Sequence, residues 1–439
     1  HILHANTQGV MGGDLSGFCT VYSHVSAPGT STTGQCGAHT FMRSNLIWSL
    51  LGMRDISGNA YSRLQRVSEQ CSSYLGSHGF EPLDTPILED TDLFVRKSGG
   101  ELTSKLYSFV DPGGNRVSLR PEFTSSVIRH FIELEQAPEL PARWYYNGPV
   151  FRHEPVGGMV YRQFTQVGAE LIGTSSLDTE VEVLNLAVNT LRYVGMDDLC
   201  IRLGHIGVLG RLLSRYGISE AAKIFIVNSI PGIKSGVTDT GMLMEKATEM
   251  GLLRDGTDQV GVDRKLSSDN MDYIRSILSQ AMSSPIGRRT SEDIISRLLR
   301  KSEVVDSPES LRASMEMVSK LVNTEGGPSE VFDQIEEIAN SEGIDTNPLE
   351  ELSRLIDRLD VIETNLTIDF GFARGISYYT GVVFEFSAPS PSGEILFGGG
   401  GRYDSLVKAL GGDDVPALGF AISVEPLVDA LDGPGVQHA

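Results

Sequence analysis

A stretch of about 160 residues with helical periodicity and no sustained strand signal, 204–364, interrupts a chain that alternates strand and helix signals on both sides. No other feature constrains the fold as much. Upstream, Tyr61, Leu64, Val67, Cys71, Tyr74 and Leu75 recur at helical spacing and predict an amphipathic helix. Residues 80–87 read as a short strand broken by prolines, which suits a sheet edge or an interface. Strands are predicted at 105–110 and 116–119 around the turn Asp111-Pro112-Gly113-Gly114, and at 143–151 and 161–172, with helices at 124–135 and 179–194. Inside the interruption, Ile294, Leu298 and Val304, and later Leu352, Leu355, Ile356 and Leu359, keep a helical period. Strand character resumes at 365–370, 378–387 and 417–423, with a glycine-rich run at 398–404 placed between a strand and a helix at 405–410. The simplest account is an α+β domain split by a helical insertion. The expected limits are 52–203 and 365–433 for the two parts of the core and 204–364 for the insertion, with a tail at 434–439.

Composition narrows the setting. With 36 Lys+Arg against 57 Asp+Glu, the formal net charge is -21, which opposes nucleic-acid binding unless a local basic groove overrides it. Cys19, Cys36, Cys71 and Cys200 form no CxxC pair, so a disulfide framework or a zinc site is not expected and a reducing, cytoplasmic setting is. No apolar run approaches the roughly 20 residues of a membrane helix, so no membrane partner is expected. Residues 1–51 hold one acidic and one basic residue, and they match neither a secretory signal nor a transit peptide. They read as a poorly ordered or spurious extension. Residues 321–364 carry twelve acidic and two basic residues, read as solvated helix faces or an acidic docking face.

Neither GxxxxGK[ST] nor a strand-to-helix GxGxxG occurs. The run Gly398-Gly399-Gly400-Gly401-Arg402-Tyr403-Asp404 is equally consistent with a ligand loop and with close backbone packing. Residues 161–171 say more. Alternation puts Arg162, Phe164, Gln166, Gly168 and Glu170 on one strand face and Val167, Ala169 and Leu171 on the other. Gln166 and Glu170 then flank an open space at Gly168, either a site for a small amine-bearing ligand or a solvated polar face. Further on, Arg374 precedes the pair Tyr378 and Tyr379, which suits two-point capture of a carboxylate or an ordinary surface arginine.

Taken in order, these segments resemble the catalytic core of histidyl-tRNA synthetases and their paralogues, within the class II aminoacyl-tRNA synthetase fold. The resemblance runs over 52–206 and 364–431. It rests on Gly52-Met53-Arg54-Asp55, the first class II motif around Pro86, and Leu119-Arg120-Pro121-Glu122-Phe123-Thr124. Further on it rests on Phe151-Arg152-His153-Glu154 with 162–170, the segment 374–381, and the third motif at 399–425. It implies an antiparallel sheet flanked by helices and a homodimer formed near Pro86. It also implies a pocket for free histidine. There Glu122, Thr124 and Gln166 would hold the α-amino group, Glu170 and Tyr379 would read the imidazole, and Arg374 would meet the carboxylate. Arg152 and Tyr378 complete that set.

Two departures direct the functional expectation. The loop after the second-motif arginine, 155–160, carries no positive charge, and Pro426 stands where the third motif keeps an arginine against adenine. The chain also ends at Ala439, soon after the third motif. These features look like the regulatory-subunit family of ATP phosphoribosyltransferase. That resemblance implies a non-catalytic histidine sensor in histidine biosynthesis, paired with a short-form catalytic subunit. No catalytic residue, metal, cofactor or tRNA is then expected. The alternative is a divergent or truncated histidine–tRNA ligase.

Overall fold

The computed structural model describes residues 47–96, 99–136, 138–154, 161–253, 306–342, 347–360, 365–372, 378–391 and 393–432. The expectations for 1–46, for the tail, and for Ile294, Leu298 and Val304 lie outside the described residues. The described residues from Ser49 onward form one compact unit.

The first helix, α1 (Gly58–Ser77), buries Val67, Cys71 and Leu75, the stripe expected from their spacing. After it come β1 (Glu81–Pro82), β2 (Leu88–Asp90), α2 (Thr91–Val95), α3 (Gly99–Ser104), β3 (Ser108–Val110) and β4 (Arg116–Leu119). The strands β2, β4 and β3 make a small antiparallel sheet. Beside Pro86, Ile87 and Leu88 are exposed, as are Phe109 and Val110 on β3. Next are α4 (Thr124–Glu133), the long hairpin β5 (Ala142–Phe151) and β6 (Gln163–Ile172), α5 (Leu177–Tyr193) and β7 (Cys200–His205).

Helices α6 (Ile206–Ser214), α7 (Glu220–Lys234), α8 (Thr240–Glu249) and α9 (Pro308–Leu321) come next. The short β8 (Glu325–Gly326), α10 (Pro328–Glu342) and α11 (Asn347–Ile356) follow them. Their starts are written in the sequence. The side chains of His205, Ser219, Asp239 and Ser307 accept the N–H three residues on, which satisfies an otherwise orphaned donor. Leu212, Ile226, Ile230, Leu311, Met315 and Val318 from these helices share one continuous apolar core with the large sheet.

The chain closes with β9 (Leu366–Asp369), β10 (Val382–Ser390), β11 (Gly393–Arg402), α12 (Leu406–Ala409), β12 (Ala417–Ser423) and α13 (Val424–Asp432). Among the described residues the large sheet has nine strands, ordered β1-β5-β6-β12-β11-β10-β7-β9-β8. The pairings are antiparallel except β1 with β5 and β7 with β9. A mixed fold with a large, mainly antiparallel sheet flanked by helices is therefore what forms. Two local expectations change. The glycines at 398–401 belong to strand β11, because β11 lies so close to β12 that a Cβ on Gly400 would sit 2.1 Å from the Gly419 carbonyl. Residues 200–205, to which the sequence pattern assigns no strand, form one held between β10 and β9.

Candidate functional site

One face of the large sheet opens into a cavity of about 500 Å3, and strand alternation decides what reaches it. On β6, Val167, Ala169 and Leu171 enter the helix-covered core, while Phe164 joins a second, aromatic cluster on the other face. Gln166 lines the cavity. Glu170 lies beneath it, 1% exposed. The gap expected at Gly168 is not open. Tyr146, directly opposite on β5, fills it, and a Cβ on Gly168 would lie 2.5 Å from the Tyr146 hydroxyl.

Glu170 is wrapped by hydroxyl donors. Thr124 Oγ1 donates to Oε1 at 2.7 Å and Tyr146 to the same oxygen at 3.2 Å, while Tyr403 donates to Oε2. Burial pushes this carboxyl up to about 8, against those three bonds that favour the charged form, and nearby Glu122 raises it further. A hydroxyl that donates to ionised Glu170 keeps its lone pairs for other partners. Thr124 and Tyr403, both of which line the cavity, therefore present acceptors to a ligand N–H.

Glu122 occupies the turn into α4. Its two carboxylate oxygens accept the Ser125 N–H at 3.1 and 3.2 Å, a placement that the positive helix N-terminus favours. Burial raises its pKa, while Ser125 and the charge of Arg152 pull it back. The turn is held from behind by buried Arg120, which donates to the Pro149 carbonyl at 2.9 Å and to that of Thr85. Its guanidinium also covers the Phe123 ring at 3.9 Å. Arg152 donates through Nε to the Pro121 carbonyl at 2.8 Å, so the second-motif arginine is tied to the same turn. Lys105 and Glu154, paired at 3.1 Å, also line the cavity, as does Glu385.

Six of the eight expected residues, Glu122, Thr124, Arg152, Gln166, Tyr378 and Tyr379, line this single cavity. Glu170 forms its floor, and Arg374 lies outside the described residues. Tyr378 meets Tyr379 and Tyr403 edge-on at 5.0 and 5.6 Å. Sequence reasoning missed Tyr146, Tyr403 and Gly419. Tyr403 had a signal in the glycine-rich run itself. Gly419 has a role visible only across strands, since a Cβ there would lie 1.7 Å from Glu170 Oε2. The Gln166 side-chain oxygen is buried without a partner, an acceptor that a bound ligand would satisfy. Among the described residues no group of three or more His, Cys, Asp or Glu is arranged to hold a metal ion. No described helix is long and apolar enough to cross a membrane.

The family model described as histidyl-tRNA synthetase matches residues 52–229 and 246–427. The chain belongs to the histidyl-tRNA synthetase family. A relative from Pyrococcus furiosus, named histidine–tRNA ligase, is 32% identical over 393 residues, covering 89% of this chain and 76% of that protein. Another of that name, from Saccharolobus solfataricus, is 31% identical over 376 residues, covering 85% of this chain and 73% of the relative. Among solved structures, a Bacillus halodurans protein described as an ATP phosphoribosyltransferase regulatory subunit/histidyl-tRNA synthetase matches with TM-score 0.59. It is 22% identical and covers 87% of this chain and 82% of that one. At that identity the likeness speaks to the class II synthetase fold.

These relatives correct the expectation of a regulatory subunit of ATP phosphoribosyltransferase: the similarity that spans the chain is to proteins named as ligases. The departures that suggested otherwise weigh less in three dimensions. Pro426 sits in the first turn of α13, where its missing N–H would be unpaired in any case, and it does not line the cavity. The loop 155–160 lies outside the described residues.

Proposed function

We propose that this histidyl-tRNA synthetase family member is a histidine–tRNA ligase, joining histidine to ATP as an adenylate and passing it to tRNA. The observation that carries this reading is one cavity combining acidic Glu122, the partnerless Gln166 oxygen and the acceptor hydroxyls of Thr124 and Tyr403 over Glu170. Glu122 and Gln166 offer acceptors for an ammonium group. Hydroxyls held as donors by Glu170 in its ionised form offer acceptors for an imidazole N–H. A site whose buried polar groups must all be matched rejects ligands that leave them unpaired. Arg152 supplies a fixed positive charge beside the place where a ligand carboxylate would meet a phosphoryl group, the charge stabilisation that adenylate formation needs. The net charge of -21 is an average over the surface and leaves room for a locally matched tRNA contact.

The test is histidine-dependent exchange of pyrophosphate into ATP by the purified protein. We expect exchange with histidine and none with other amino acids. For Gln166→Ala we expect a histidine KM raised about tenfold, near 1.4 kcal/mol, as for loss of one buried hydrogen-bonding group. Absence of exchange in a folded protein that binds both substrates overturns the reading.

A further inference from the structure

The helical region between β7 and β9 reaches the cavity through one buried carboxylate. Asp369, at the end of β9, is 1% exposed. Its Oδ1 accepts the Gly371 N–H at 2.8 Å and its carbonyl accepts the Phe372 N–H at 3.2 Å, which closes a tight turn. Phe372, the last residue of that turn, lines the cavity and packs against the aromatic cluster around it.

The turn is gripped from the helical side. Lys234, in the last turn of α7, binds Asp369 Oδ2 at 2.5 Å and Glu325 of β8 at 2.6 Å. A cation there also suits the negative end of the helix. Arg202 stands at 3.9 Å, too far for a hydrogen bond. The Phe370 N–H faces the Thr324 carbonyl at 3.5 Å. Space is equally tight: a Cβ on Gly371 would lie 2.4 Å from the Val322 carbonyl and 2.6 Å from Lys234 Cδ. A carboxylate this buried needs a cation beside it. Without one it is driven to swing out towards water, which withdraws the oxygen that holds Gly371.

We propose that Lys234 is a positioning residue for the histidine cavity: its ion pair with Asp369 holds the 369–372 turn and so sets Phe372 in the cavity wall. The proposal rests on the cavity being the histidine site. It gives the helical region a part in ligand binding through a residue that touches no ligand.

The experiment compares the full-length protein with Lys234→Met, Asp369→Asn and the double variant. Amide hydrogen exchange over 365–372 reads the turn directly, and calorimetry reads the histidine Kd. In Lys234→Met, protection at Gly371 and Phe372 should fall at least tenfold and the Kd should rise five- to tenfold. Adding Asp369→Asn should recover most of both, because an amide keeps the acceptor for Gly371 but needs no cation. A purely structural lysine would lower the melting temperature and leave the Kd alone. Unchanged exchange protection in Lys234→Met, an unchanged Kd, or no recovery in the double variant overturns the proposal. Wild-type protein that binds histidine yet catalyses no pyrophosphate exchange overturns the ligase reading and leaves this comparison of Kd values intact.

Discussion

The two faces of the large sheet use the same strands for opposite ends. On the helix-covered face, Val167, Ala169 and Leu171 of β6 meet Leu418, Phe420 and Ile422 of β12 and Phe384 and Phe386 of β10 in an apolar core. On the cavity face the alternate positions of these strands are Gln166 and Glu170, Gly419 and Ser423, and Glu385. A backbone step of one residue thus separates close apolar packing from a polar wall that includes the buried Gln166 and Glu170. The covered face gains stability from area removed from water, which is non-directional and graded. The cavity face must satisfy each polar atom with a particular partner, and it needs small residues to leave room. The first face holds the strands rigid enough for the second to keep its geometry.

That contrast can be broken in three ways. Leu171→Ala, on the covered face, should cost about 2–5 kcal/mol of stability, read by denaturant unfolding, while the folded fraction binds histidine as before. A large change in histidine affinity would show that the faces are not separable. Gly419→Ala puts a methyl where Glu170 Oε2 lies 1.7 Å away, and the nearby Ala169 carbonyl cannot yield. We expect about 1–3 kcal/mol of destabilisation from overpacking and at least a tenfold loss of histidine affinity. Retained affinity would mean that Glu170 can move freely and does not set the floor.

The third test is of pH dependence. Glu170 holds its proton up to about 8 because it is buried, against an ordinary 4.5. Glu122, Glu180 and Glu425 are also raised by burial. Between pH 4.5 and 8 the unfolded chain has released the Glu170 proton and the folded protein keeps it. Its contribution is therefore complete below the lower value and is lost as pH rises towards 8, by at most about 1.4 kcal/mol per pH unit. Melting temperatures measured from pH 5 to 8 should fall more steeply for wild type than for Glu170→Gln, whereas Leu171→Ala should keep the wild-type slope. Equal slopes in all three proteins would remove Glu170 as the titrating group.

Much of this was legible beforehand. Strand alternation over 161–171 separated the two faces correctly, and β12 spans the expected residues 417–423. Six of the residues assigned to the pocket do line it, because their motifs are local in the chain. The misreadings have a common origin. Four successive glycines leave a ligand loop and close backbone packing both open, and only the pairing of the strands decides for packing, with neighbours too close for side chains. Gly168 looked like a gap because the sequence does not say that Tyr146 stands opposite it. Pro426 looks like a chemical loss in the sequence, yet the proline occupies a first helical turn away from the cavity.

By itself the sequence determined the faces of the strands and the family, since a period of two and short motifs are properties of neighbouring residues. Register and partners across the fold were decided only by the tertiary structure. Tyr403 reaches Glu170 from 233 residues away, and Lys234 reaches Asp369 from 135. Contacts at such separations depend on how the whole sheet closes on its helices, and no local pattern encodes that closure.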